Sequence, residues 1–96
     1  MTVYQPREDS NLLAKQILEK DLEGKTCLDM GTGTGIIAEK MVRSGAEEVL
    51  AADINPEAVE EASERLEDSE NVKVVQSDLF ENVDKKFDVI AFNPPY

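Results

Sequence analysis

Ninety-six residues are chain enough for one small core and too few for two. With 21 acidic against 10 basic side chains the formal charge is −11, which repels duplex nucleic acid and anionic lipid, while a hydrophobic content of 41% is enough to fold. One cysteine and no histidine exclude an internal disulfide and argue against a transition-metal site, and no apolar run approaches the roughly 20 residues of a bilayer span. Residues 1–8 read as extended, because Pro6 disfavours helix at Gln5. Asp9 or Ser10 then caps a helix to about Lys20, with Leu13 and Ile17 one turn apart on its inner side, and Gly24 closes that region. A short buried strand is predicted over 25–30, a glycine turn over 31–35, and a second helix over 34–44 with the stripe Ile37, Ala38, Met41, Val42 and Gly45 as its stop. A second strand follows at 48–53. Asn55 caps a third helix with Pro56 at its first position, burying Val59, Ala62, Ser63 and Leu66. The third strand is predicted over 72–76 and the fourth over 87–92, the latter apolar enough to be buried on both faces. Strands alternating with helices imply a parallel, open α/β layer.

Asp29-Met30-Gly31-Thr32-Gly33-Thr34-Gly35 carries the strongest chemical signal. A strand feeding a glycine turn and then a helix lets backbone approach a ligand at the strand's carboxyl end. Gly33, Gly35 and Ala38 satisfy the dinucleotide fingerprint, and Asp53 lies at about the right distance to grip a ribose. Asp29 argues against a pyrophosphate. Two unit charges about 5 Å apart at an effective dielectric of 20 repel by about 3 kcal/mol. S-adenosylmethionine (SAM) has no phosphate and carries an ammonium and a sulfonium, so the charge pattern favours it. Asp53 can accept two ribose hydroxyls, against a bland reading as a capping residue beside Asn55. Asp78 could take an adenine amino group with Leu79 on the ring, although an acid after a strand is usually turn chemistry.

Asn93-Pro94-Pro95-Tyr96 follows the fourth strand as a stiff, extended hook. Two prolines offer carbonyls without N–H groups, an acceptor surface suited to a planar amino group. Asn93 Oδ1 and the Pro94 carbonyl can each take one hydrogen while Tyr96 stacks on the flat face. Cys27 reads as a small core residue, and the acidic run of 57–70 as a solvated helix surface.

Asp29-x-Gly31-x-Gly33-x-Gly35, Asp53-Ile54-Asn55, Ser77-Asp78-Leu79 and Asn93-Pro94-Pro95-Tyr96 together resemble class I SAM-dependent methyltransferases. The closer likeness is to the glutamine methyltransferases that modify the GGQ motif of translation release factors. Val3-Tyr4-Gln5-Pro6-Arg7-Glu8-Asp9-Ser10-Asn11-Leu12-Leu13 and Phe80-Glu81-Asn82-Val83 look like their archaeal and eukaryotic branch. The resemblance implies a Rossmann-like sheet in the order third-second-first-fourth (3-2-1-4), continued in complete relatives by further strands. It implies that Asp29, Gly31 and Ser10 meet the methionine part of SAM, with Gly33 and Gly35 completing the turn. It gives Asp53 and Ile54 the ribose side, Asp78 and Leu79 the adenine, and Asn93 both target nitrogen and cofactor. A small zinc-binding activator protein often accompanies this branch.

The expected reaction is an in-line methyl transfer to a glutamine amide, with Asn93, Pro94 and Tyr96 as catalytic residues. An adenine amino-methyltransferase acting on DNA or RNA shares the tetrapeptide, and a SAM-binding fragment without turnover is the non-enzyme reading. The expectation is therefore a soluble, cytoplasmic, metal-free domain covering 1–96, the amino-terminal part of the family fold. Of its two sheet edges, the third strand carries Lys73 and suits the activator. The fourth strand, left open and apolar, predicts self-association.

Overall fold

The computed structural model describes residues 2–4, 21–78 and 86–92, and along them strand and helix alternate as the apolar spacing predicts. The elements are β1 (Thr2–Tyr4), β2 (Thr26–Met30), α1 (Ile36–Arg43), β3 (Glu48–Asp53), α2 (Pro56–Arg65), β4 (Val72–Gln76) and β5 (Val89–Phe92). All strand pairs are parallel, in the order β1-β5-β2-β3-β4. The predicted order of the four longer strands holds. The helix expected to end near Lys20 lies outside the described residues.

One expectation is corrected at the sheet's edge. The fourth predicted strand, now β5, is not an edge: β1 pairs with it, Thr2 opposite Val89, Val3 opposite Ile90 and Tyr4 opposite Ala91. The described sheet therefore has five strands rather than four. A three-residue β-branched and aromatic strand is enough to occupy the row of N–H and C=O groups on which self-association was argued. At the other side β4 is the edge, with Lys73 exposed, as expected.

Successive side chains of β2 point to opposite faces, so each face has its own apolar layer. Cys27, Val49, Ala51, Val89 and Ala91 pack under α1 and α2, against Ile37, Ala38, Met41, Ala62 and Leu66. Leu28, Met30, Ala52, Phe87 and Ile90 make the layer on the opposite face. β5 is thus buried on both faces, as read. Cys27 is a core residue: burial first, and the Asp88 charge second, push its thiol up to about 11.

The helix ends follow local chemistry. Asn55 Oδ1 accepts from the Glu57 amide at 2.9 Å with Pro56 next in line, the predicted cap of α2. Gly45 stops α1 at φ 94°, its amide donating to the Val42 carbonyl while the Ala46 amide donates to Met41. Two smaller readings are corrected. Ser63 is exposed, because the face of α2 turned to the sheet is narrow and filled by Ala62 and Leu66. α1 starts at Ile36 rather than Thr34, because the left-handed Gly35 serves as its N-cap.

Candidate functional site

The chain runs outward from β2 to β3 to β4 and then returns to β5 on the far side of β2. In an open parallel sheet the crevice beyond the strands' carboxyl ends, at that reversal, is where ligands bind. The turn of residues 31–35 sits at this point. Its Gly31 and Thr32 amides donate to the Ala52 carbonyl at 2.8 and 2.9 Å, and the Gly35 amide closes the turn on the Thr32 carbonyl at 2.9 Å. Gly33 (φ 56°) and Gly35 (φ 88°) are both left-handed, yet each needs glycine for a different reason. A Cβ on Gly33 would meet nothing within 4 Å, which leaves backbone open to a ligand. A Cβ on Gly35 would sit 3.3 Å from both Ala62 Cα and Leu66 Cδ1, so this glycine lets the turn lie against α2.

Asp29, the penultimate residue of β2, is 1% exposed. Its Oδ2 accepts from Thr32 Oγ1 at 2.7 Å, and the Ala38 amide in the first turn of α1 also donates to the carboxylate. α1 has no side-chain cap from its own Gly35, so Asp29 supplies one from the strand. Burial pushes the Asp29 carboxyl up to about 6; the Thr32 and Ala38 bonds oppose the rise and the Asp53 charge adds to it. Asp53 ends β3 and ties two segments together. Its Oδ2 accepts from the Gly33 amide and its Oδ1 from the Asn55 amide, both at 2.9 Å. The cap of α2 is Asn55, and Asp53 braces it by accepting from its amide rather than capping the helix itself. Each carboxylate oxygen has a second lone pair, so two hydroxyl donors can still be taken there.

Beside Asp53, Ile54 is 50% exposed, the one large hydrophobic side chain so exposed among the described residues. The Ser77 amide donates to the Asp53 carbonyl at 2.9 Å, which sets the exposed Asp78 next to the end of β3. Asp29, Gly31, Gly33, Gly35, Asp53, Ile54 and Asp78 thus share one end of the sheet. Ser10, Leu79, Asn93, Pro94 and Tyr96 lie outside the described residues. β5 itself ends at Phe92 opposite Met30, one residue before the turn. This site offers open backbone, an apolar platform and three acids; it suits a ligand with hydroxyls, a flat ring and positive charge, and disfavours a phosphate.

Two contributors were not legible beforehand. Thr32 is buried with its hydroxyl on Asp29, a threonine three residues past an acid, which is a recognisable turn signal. Arg65 reaches the Thr34 carbonyl across 31 residues of sequence, and no local pattern announces that.

A family model described as Methyltransferase small domain matches residues 7–96. A protein named as an N5-glutamine methyltransferase from Methanocaldococcus jannaschii is 47% identical over 95 residues, covering 98% of this chain and 47% of that protein. A release factor glutamine methyltransferase from Lactococcus lactis is 36% identical over 94 residues, covering 95% of this chain and 35% of that protein. Among solved structures, the 16S rRNA N2 G1207 methyltransferase of T. thermophilus in complex with AdoMet and guanosine superposes with a TM-score of 0.76 at 27% identity, over 95% of this chain and 26% of that one. The chain spans about half or less of the length of these relatives.

Proposed function

We propose, for a chain that belongs to the methyltransferase small-domain family, that it binds SAM at the turn of residues 31–35 and directs its methyl group to the side-chain amide of a glutamine in a translation release factor. The observation that carries the cofactor reading is the open Gly33 backbone held by Asp53, with buried Asp29 behind the same turn and exposed Asp78 at the same end of the sheet. That arrangement attracts an ammonium and a sulfonium and repels a pyrophosphate. Names of the relatives, two of which methylate glutamine by description, support the acceptor.

Residues 1–96 act as one cofactor-binding unit. Asp53 takes the ribose hydroxyls on its free lone pairs. Ile54 and Leu79 cover the adenine, and Asp78 accepts from its amino group. Gly31 and Ser10 meet the methionine part, while Asp29, fully turned inward, draws its charge from behind the turn. SAM, when bound, supplies an electrophilic methyl carbon on sulfur. Asn93 Oδ1 and the Pro94 carbonyl accept the two N–H bonds of the target amide and aim its nitrogen lone pair at that carbon, with Tyr96 against the amide plane. The new N–C bond forms as the S–C bond breaks, the sulfur keeps the pair, and one amide proton leaves to solvent afterwards. Positioning and electrostatics supply the rate, because no base stands in the proposed set.

The reaction takes place in the cytoplasm, where release factors act. A small zinc-binding activator docks on β4, which pairs only with β3 among the described strands and leaves its outer row of main-chain groups for strand addition. The test is transfer of labelled methyl from SAM by the full chain. A methylated glutamine in a release factor supports the reading. Label in the amino group of a nucleic-acid base would replace it with a nucleic-acid methyltransferase, and binding without transfer to either acceptor would reduce the chain to a cofactor-binding module.

A further inference from the structure

We propose that Arg65 is a positioning residue for the glycine turn, acting through the Thr34 carbonyl; this rests on the SAM reading above. The turn is held from the β3 side at its first three residues, by the Ala52 carbonyl and by Asp53 on the Gly33 amide. Its far side is less provided for. The Thr34 carbonyl points back toward α2 just before the N-cap Gly35, and the Ala38 amide, its donor in a helix one residue longer, is turned to Asp29 instead. Arg65 Nε supplies the missing donor, at 2.9 Å.

The contact belongs to a surface. Ala62 and Arg65 of α2 and its C-cap Leu66 stand at i, i+3 and i+4, neighbours on one side of the helix end. Ala62 and Leu66 are the residues that a Cβ on Gly35 would approach to 3.3 Å, so the apolar wall lies against Gly35 while the polar clasp holds Thr34, the residue before it. The open backbone at Gly33 is therefore fixed from both ends: Asp53 on its own amide and Arg65 on the next residue's carbonyl. Arg65 also lies 3.6 Å from Glu39 of α1, which in turn lies 3.8 Å from Arg43. Those pairs are partly open to solvent, and ion pairs of that kind contribute little. The directed bond to a fixed carbonyl is what places the turn.

Arg65→Gln and Glu39→Gln in the full chain separate the two. Arg65→Gln should weaken SAM binding about fivefold by calorimetry, the scale of one hydrogen bond, and raise KM for SAM by the same factor with kcat at saturating SAM little changed. Glu39→Gln, which removes the ion pairs to Arg65 and Arg43 and leaves the Thr34 bond, should leave affinity within twofold. Amide exchange in the ligand-free proteins gives a second readout. In Arg65→Gln the Gly33 and Gly35 amides should exchange several-fold faster while Leu28 and Val49 keep their rates. Unchanged affinity and exchange in Arg65→Gln, equal losses in both variants, or acceleration spread over the whole sheet would each overturn the proposal. Failure of the unmodified chain to bind SAM would overturn the cofactor reading alone, since the exchange comparison would still decide what Arg65 holds.

Discussion

Asp29 and Asp53 are neighbouring carboxylates with opposite circumstances, and their environments predict opposite experiments. The folded chain raises the Asp29 carboxyl from 3.8 to about 6, so the folded state binds that proton more readily than the unfolded one. Stability from this group is therefore fullest below pH 3.8, declines as pH rises to about 6, and is flat above. Asp29→Asn removes the charge while keeping its size. Its stability relative to the parent should improve between pH 4 and 6 by an amount on the order of 3 kcal/mol, less what the weaker bonds to Thr32 and Ala38 lose. Denaturant unfolding at several pH values reads this, and a constant difference would mean the burial is not felt. A cationic ligand favours the ionised form, so SAM affinity of the parent should rise from pH 5 to 7 and lose that dependence in Asp29→Asn. Asp53 is half-buried and its bonds are to backbone amides, which makes it a structural tie as well as a ligand group. Asp53→Ala should weaken SAM binding by about 1.5–3 kcal/mol, the scale of charge-assisted bonds. An unchanged dissociation constant would place the ribose elsewhere.

Between elements, the contact that matters is the turn of residues 31–35 lying on α2. Gly35 combines φ 88° with a position where an added Cβ would stand 3.3 Å from Ala62 and Leu66, so a methyl there meets both backbone strain and a wall. Gly35→Ala should cost about 1–3 kcal/mol of stability, overpacking and strain together, and weaken ligand binding further by lifting the turn. Gly33→Ala carries strain alone, since its Cβ would stand in open space; it should be milder on unfolding and still obstruct the ligand. If the two behave alike in thermal unfolding, the packing account of Gly35 is wrong. These roles also mark what a sequence can disclose. The caps at Asn55 and Gly45, the β2 to α1 turn and the apolar stripe of α1 are set within a few residues and were legible. Which glycine faces the ligand and which the helix depends on α2 arriving 27 residues later at Ala62, and Ser63 was misassigned because helical spacing alone does not give the width of the buried face. Asp29 was legible as an acid near the turn, whereas its bond to Ala38 exists only once β2 and α1 are packed.

For the molecule as a whole, the pairing of β1 with β5 is what four predicted strands could not contain. Thr2-Val3-Tyr4 is too short to announce a partner, and its register is fixed by residues 87 positions away, Val89 to Ala91. β5 is the strand on which the sheet turns back: it lies beside β2 on one side and β1 on the other, and its end at Phe92 abuts the turn. Its outer row of amides and carbonyls needs a neighbour, and an unpaired apolar strand recruits one from another molecule. The self-association expected of an open β5 should thus be held off by β1 and return when β1 is removed. Deleting residues 1–4, or replacing Val3 with proline to delete one donor and clash with the ladder, should convert the chain to concentration-dependent dimers or larger species. Sedimentation velocity over a hundredfold range of concentration reads the change. Amide exchange at Val89, Ile90 and Ala91 should accelerate in the variants at low concentration and slow again as they associate. If the variants stay monomeric with those amides protected, β1 is an ornament on a sheet already complete at β5.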